Sequence, residues 1–182
     1  MYTVKKMYPS GEYIDFLDPT RARISIEDIA WSLSMQCRFG GGCSHFYSVA
    51  QHSLFVANLL PAELALQGLM HDAHEAYVQD IVTGFKRALG ETMIILDALW
   101  SCEVRMRYGL PTKIHPDVHH ADMVALATER RDLGLMDNRE WPFIAGISPQ
   151  VKSLQLRLSQ PAVYKLFLNK FEHLGGGTKI CR

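Results

Sequence analysis

Four residues stand out for the chemistry their types permit: His52, the adjacent pair His71-Asp72, and Asp122. Imidazoles and carboxylates hold divalent ions, and ionisable groups are costly to bury unless paired or bound to a metal. His71-Asp72 follows Leu64, Leu66, Leu69 and Met70 in an otherwise apolar stretch, and Glu75 arrives just after it. On a helix His71 and Glu75 share a face four residues apart, and Asp72 and Glu75 lie three apart. Two imidazoles and two carboxylates suit an ion with open positions for water, such as zinc, cobalt, manganese or iron, with magnesium a further candidate. A lone His-Asp dipeptide is common. The weight lies in the ordered set His, His-Asp, Asp, each on a helix with an apolar face, with Glu75 and Asp80 beside it.

The elements that must position these residues read as helices. Ser25-Ile26-Glu27-Asp28 is a capping signal. It opens a helix to about Met35, with Ile26, Ile29, Ala30 and Leu33 on one stripe. Residues 37–46 (CRFGGGCSHF) hold three consecutive glycines and form a loop. Ser48-Val49-Ala50-Gln51 is a second capping box, starting a helix through Leu60 that carries His52 on the stripe of Val49, Val56 and Leu59. Pro61 suits the first turn of the next helix, expected over 61–78 and packed antiparallel to its predecessor. A short segment near 84–89 follows, then helices at about 91–108, 117–133 and 148–158. Pro161 starts a last one, which ends before Gly175-Gly176-Gly177. Asp122 lies in HHADMVALATERRDL, where Val124, Leu126, Ala127 and Leu133 mark a buried face.

Residues 1–23 are rich in Tyr, Pro, Gly and Asp and read as irregular structure or a short hairpin, and no later stretch alternates convincingly as a strand. The expected fold is all-α: one helical bundle over residues 1–182, with an irregular segment 1–24 and a tail 175–182. A chain of 182 residues, 48% apolar, supports one core. Formal net charge is zero, which gives no reason to expect tight binding to nucleic acid or an anionic membrane, while leaving room for a local basic pocket. No N-terminal stretch reads as a signal peptide, and the apolar runs fall short of the roughly 18 residues that span a bilayer. A soluble, cytosolic protein is expected. Cys37, Cys43, Cys102 and Cys181 form no C-x-x-C and read as reduced, partly buried thiols, a zinc site on Cys37 and Cys43 being the minor reading.

These residues carry a resemblance. YSVAQHSLFVA (47–57), HDAHEAYVQD (71–80) and ADMVALATERRDL (121–133) resemble the HD-domain phosphohydrolases, above all their short bacterial and phage branch of 5′-deoxynucleotidases and dATP triphosphohydrolases. IEDIAWSLSMQCRFGG (26–41) resembles the same branch, and the likeness extends over residues 10–175. It implies His52, His71, Asp72 and Asp122 as metal ligands, Glu75 as the carboxylate beside the metal, and Asp80 as a second acid that orients water. It implies Arg38 and Lys86 as phosphate-contacting cations and Phe39 as an aromatic near the base. The chain departs from the pattern at His74, where a small residue is usual, at Gln79, where Gly is usual, and at Val82-Thr83-Gly84, which replaces a proline-rich turn.

Without the resemblance, Glu75 reads equally well as an exposed helix residue and Asp80 as a cap, and a lone Arg or Lys is most often solvated. Arg38 in its Gly-rich loop suits bidentate phosphate contact, and Lys86 supplies a point charge. His45, His115, His119 and His120 read as structural or surface residues, with His45 within reach of a pocket. Trp31, Trp100 and Trp141 read as core or interface. The expected activity is metal-dependent hydrolysis of a deoxyribonucleotide, first dATP to deoxyadenosine and triphosphate, alternatively a 5′-monophosphate. A non-catalytic site and a signalling-nucleotide hydrolase are the other readings. The resemblance further implies a homo-oligomer, dimer or hexamer, with a small nucleotide as its partner, in the host cytoplasm if the chain is phage-encoded.

Overall fold

The computed structural model describes residues 4–136 and 139–177, so Cys181 and the end of the tail lie outside the described residues. The chain is mostly helical with one small sheet. The N-terminal segment is a hairpin: β1 (Val4–Lys6) pairs antiparallel with β2 (Tyr13–Asp15), Lys5 opposite Ile14. Eight helices follow among the described residues: α1 (Ile26–Met35), α2 (Val49–Asn58), α3 (Ala62–Leu69), α4 (Glu75–Val78), α5 (Thr83–Leu89), α6 (Glu91–Arg107), α7 (Pro116–Asp132) and α8 (Gln160–His173). None is long and apolar enough to cross a membrane.

Local chemistry sets the early boundaries. Ser25 caps α1 by accepting from the Asp28 amide at 3.1 Å. Asp28 in turn accepts from the Ser10 amide and hydroxyl at 2.9 and 2.6 Å, fastening the hairpin region to α1. At α2 Ser48 and Gln51 form a reciprocal capping box. The Gly-rich loop between α1 and α2 is pinched at its base, where Arg38 N donates to Tyr47 O at 2.9 Å and Val49 N to Gln36 O at 3.1 Å.

The main core joins α1, α2, α3, α4, α6 and α8 through Ile29, Leu33, Ala50, Leu69, Tyr77, Trp100 and Phe167. Tyr77 stacks on Trp100 with centroids 4.5 Å apart, and the Trp100 indole N–H donates to Phe16 O at 2.9 Å. Helix α7 packs on the other side of α2 and α3 through Val56, Ala121 and Ala125.

Two expected helices are corrected. The helix expected over 61–78 stops at Leu69 and resumes only at Glu75. Between them the amides bond three residues back, Ala73 N to Met70 O and Glu75 N to Asp72 O, so the chain turns more tightly than an α-helix. Pro61 caps α3 from outside instead of sitting in its first turn. No helix forms over 148–158. There α7 captures the backbone: the Gln150 amide donates to Thr128 Oγ1 at 2.9 Å, the Leu154 amide to Asp132 Oδ2 at 2.8 Å, and Gln150 O accepts from Arg131 at 2.6 Å. Donors engaged across the fold are lost to an intrahelical ladder.

Candidate metal centre

His52 occupies the second turn of α2, wholly buried, and its ring faces two ways. Nδ1 lies 2.6 Å from Glu129 Oε1 on α7. An ionised carboxylate can only accept, so Nδ1 carries the hydrogen and donates. His71, in the tight turn after α3, places Nδ1 2.8 Å from Gly68 O, and a carbonyl also can only accept. Both hydrogens therefore point away from the space between the rings. The two Nε2 atoms meet there at 3.3 Å.

The carboxylates of Asp72 and Asp122 turn into the same space. Asp72 Oδ2 lies 3.1 Å from His71 Nε2 and 3.6 Å from His52 Nε2, while Asp122 Oδ1 lies 3.1 and 3.8 Å from His52 and His71. With the imidazoles neutral, all four atoms are acceptors, and only a cation can satisfy them together. For ligand bonds of about 2.0–2.2 Å, neighbouring ligand atoms lie roughly 3.0–3.5 Å apart, so the spacing fits a single ion. His52, His71 and Asp72 are the tight group able to hold a metal among the described residues, their ligand atoms within 4.8 Å of one another. Asp122 reaches both imidazoles from α7 but falls outside that tightest set. Among the described residues no cysteine joins the group. Cys37 and Cys43 are free thiols whose sulfurs lie 3.7 Å apart, and Cys43 donates to His45 O.

Without an ion, the surrounding carboxylates favour a proton on each imidazole in its place, raising His71 as well as His52. Burial and Arg38 push His52 down, but Glu129 and Asp122 outweigh them and hold it at about 9. Burial opposes ionisation of Asp72 as well, yet His71 and His52 hold its carboxyl well below the usual range. Asp122 and Glu129 are held low too, against burial, by His52 and by Arg38 respectively. Glu75 moves the other way: burial, then Asp72 and Asp80, push it well above the ordinary carboxylate range. Burial likewise raises Asp80, against the pull of Arg38. Carboxylates pushed apart in this way divide into anions that bind and groups that can hold a proton.

Glu75 is buried at the start of α4, not exposed. Its Oε2 and Asp80 Oδ2 are buried atoms without a hydrogen-bond partner. Gln36 holds their backbones in register, its side chain donating to Glu75 O at 3.0 Å and accepting from Asp80 N at 2.9 Å. Arg38 is also buried. It pairs with Glu129 Oε2 at 3.1 Å and directs its other terminal nitrogen to Asp72 and Asp80, each at 3.8 Å. Lys86 on α5 bonds Asp97 at 2.7 Å and lies 3.8 Å from Glu75. Phe39 sits next to Arg38, its ring 5.2 Å from the guanidinium carbon and 6.2 Å from the Trp141 ring.

The structure thus gathers all eight polar residues singled out in the sequence into one network, with Phe39 at its rim. Phe39 (φ 57°) and Gln79 (φ 77°), which flank Arg38 and Asp80, are non-glycine residues in the left-handed region. Such conformations are costly and cluster at functional sites. His74 is also explained, since its Nε2 lies 3.5 Å from Asp97, the residue that holds Lys86. His45 is exposed and bonded to Ser44, and His115 caps α7.

Sequence reading missed Glu129, Gln36 and Asp97. Only Glu129 left a trace, standing seven residues after Asp122, two turns along the same helix face.

No family model matches the chain. It is 42% identical over 165 residues to the uncharacterized protein YfdR of Escherichia coli strain K12, the match covering 91% of this chain and 92% of that protein. It is 33% identical over 167 residues to an uncharacterized protein of Rhodobacter capsulatus, covering 84% of this chain and 85% of that protein.

Proposed function

We propose that this chain, which belongs to the YfdR family, is a metal-dependent phosphohydrolase of the HD-domain type acting on deoxyribonucleotides. One observation carries the reading. Four atoms from His52, His71, Asp72 and Asp122, all acceptors when the imidazoles are neutral, converge on one space, next to buried oxygens of Glu75 and Asp80 that have no hydrogen-bond partner.

A divalent ion held there supplies Lewis acidity toward a phosphoryl oxygen and acidifies water. Glu75 and Asp80 orient the attacking water and take its proton, a contribution of about 10²–10⁴ in rate. Arg38, already aimed at Asp72 and Asp80, offers its guanidinium to the phosphate, and Lys86 adds a second positive charge across the site. With dATP the water oxygen bonds to the α-phosphorus, the bond to the 5′ oxygen breaks, and that oxygen leaves as the deoxyadenosine hydroxyl.

The test is a panel of nucleoside mono- and triphosphates with cobalt, manganese, zinc and magnesium in turn, with products separated by chromatography. Deoxyadenosine and intact triphosphate from dATP support the reading, and Asp72→Ala then loses both metal and turnover. Phosphate released from dAMP alone moves the substrate to the 5′-monophosphates. Guanosine tetraphosphate as the only nucleotide hydrolysed moves it to signalling nucleotides, and bound metal without hydrolysis makes the site a binding site.

A further inference from the structure

We propose that Glu129 is a positioning residue that locks the metal centre and Arg38 into one geometry. The inference rests on the metal reading above. Glu129 is wholly buried on α7, and each of its oxygens is committed to a different donor: Oε1 to His52 Nδ1 at 2.6 Å and Oε2 to Arg38 at 3.1 Å. The first bond fixes the tautomer of His52, so that Nε2 presents a lone pair toward His71, Asp72 and Asp122. The second holds Arg38 over the same space, 3.8 Å from Asp72 and from Asp80. A carboxylate behind a ligating imidazole orients the ring and strengthens it as a ligand. Here that carboxylate also carries the cation assigned to the phosphate.

Gln at this position is nearly isosteric but has one acceptor and one donor. Its oxygen can face His52 or Arg38, and its NH2 then meets an N–H of the other. With Arg38 in place, the charged guanidinium competes for that single oxygen. Glu129→Gln therefore weakens the hold on His52 while leaving the four residues around the ion intact. Removing Arg38 frees the amide oxygen to turn to His52.

The experiment is isothermal titration calorimetry of manganese and cobalt into metal-stripped protein, with thermal unfolding of the stripped protein as the control for folding. Wild type, Glu129→Gln, Arg38→Met and the double variant are compared. Glu129→Gln is expected to bind metal about 10–100-fold more weakly, the range seen when a ligand's hydrogen-bond partner is lost. In the Arg38→Met background the same change is expected to cost less than half as much in log Kd. Glu129→Asp, which keeps two acceptors on a shorter arm, is expected to lie between wild type and Glu129→Gln and serves if the amide variant does not fold. Wild-type affinity in Glu129→Gln, or an undiminished loss in the double variant, overturns the coupling alone. Failure of the wild type to bind either ion overturns the metal centre itself.

Discussion

His71 Nδ1 donates to the carbonyl oxygen of Gly68, 2.8 Å away and three residues earlier in the chain. The bond turns the ring so that Nε2 faces His52. It is possible because α3 ends there and α2 lies close against it. A Cβ built on Gly68 would stand 2.3 Å from Leu60 Cδ1 and 3.4 Å from the Ala57 Cα. Leu60 can swing aside, but the α2 backbone cannot. Gly68→Val is therefore expected to lose about 1–3 kcal/mol of stability by overpacking, read from denaturant unfolding, and to weaken metal binding as α3 shifts. An unchanged midpoint would mean that α2 and α3 pack more loosely than these distances imply.

On the proposed reading, Glu75 should separate metal binding from turnover. Its carboxylate is not among the four atoms that converge on the ion site, and its Oε2 has no partner. Glu75→Gln should hold manganese with an affinity near wild type while hydrolysis falls about 10²–10⁴-fold. Calorimetry and steady-state kinetics on one preparation read both quantities. Loss of metal in this variant would move Glu75 into the ligand set.

Asp97 links acid sensitivity to the wall of the site. Burial raises its carboxyl, but hydrogen bonds from His74 and Lys86 outweigh burial and hold it below the usual range. A carboxyl lowered by folding adds stability above its unfolded pKa of about 3.9, and that stability is lost as pH falls through the folded value. In metal-free protein, wild type should exceed Asp97→Asn in stability from neutral pH down to about pH 5. The gap should close as pH drops below roughly 4. Urea unfolding across that range gives the comparison, and a gap independent of pH would place the effect in packing.

The parts of this fold legible in the sequence are those made by neighbours in the chain. Ser25 with Asp28 and Ser48 with Gln51 close their caps over three residues, so α1 and α2 begin where the side chains say. The turn at Met70–His74 was hidden because the apolar spacing continues through Val78, while the bonds that break the helix depend on tertiary placement. The helix expected over 148–158 fails for the same reason, since Thr128, Arg131 and Asp132 on α7 take up backbone groups of that segment. At the site, His52, the His71-Asp72 pair and Asp122 could be picked out as polar residues on apolar faces. Glu129 could not, because beside Arg130 and Arg131 it looks like part of a solvated charge run until His52 is set against it.

On the proposed deoxyribonucleotide reading, Phe39 offers a test of how a base would be held. Its ring packs beside Tyr47, Leu133 and Leu154 as well as against Arg38, so alanine there would remove core volume together with any stacking surface. Phe39→Leu keeps apolar bulk and removes only the flat face. Stacking of a base on an aromatic ring contributes about 1–3 kcal/mol. The KM for dATP should therefore rise by roughly one to two orders of magnitude. Inhibition by inorganic triphosphate, which has no base, should stay as in wild type because Arg38 and Lys86 are untouched. Parallel weakening of both would mean that Phe39 acts by placing the Arg38 guanidinium, 5.2 Å from its ring. In that case the recognition of the base has to come from elsewhere on the rim, where Trp141, 6.2 Å from Phe39, is the next aromatic surface.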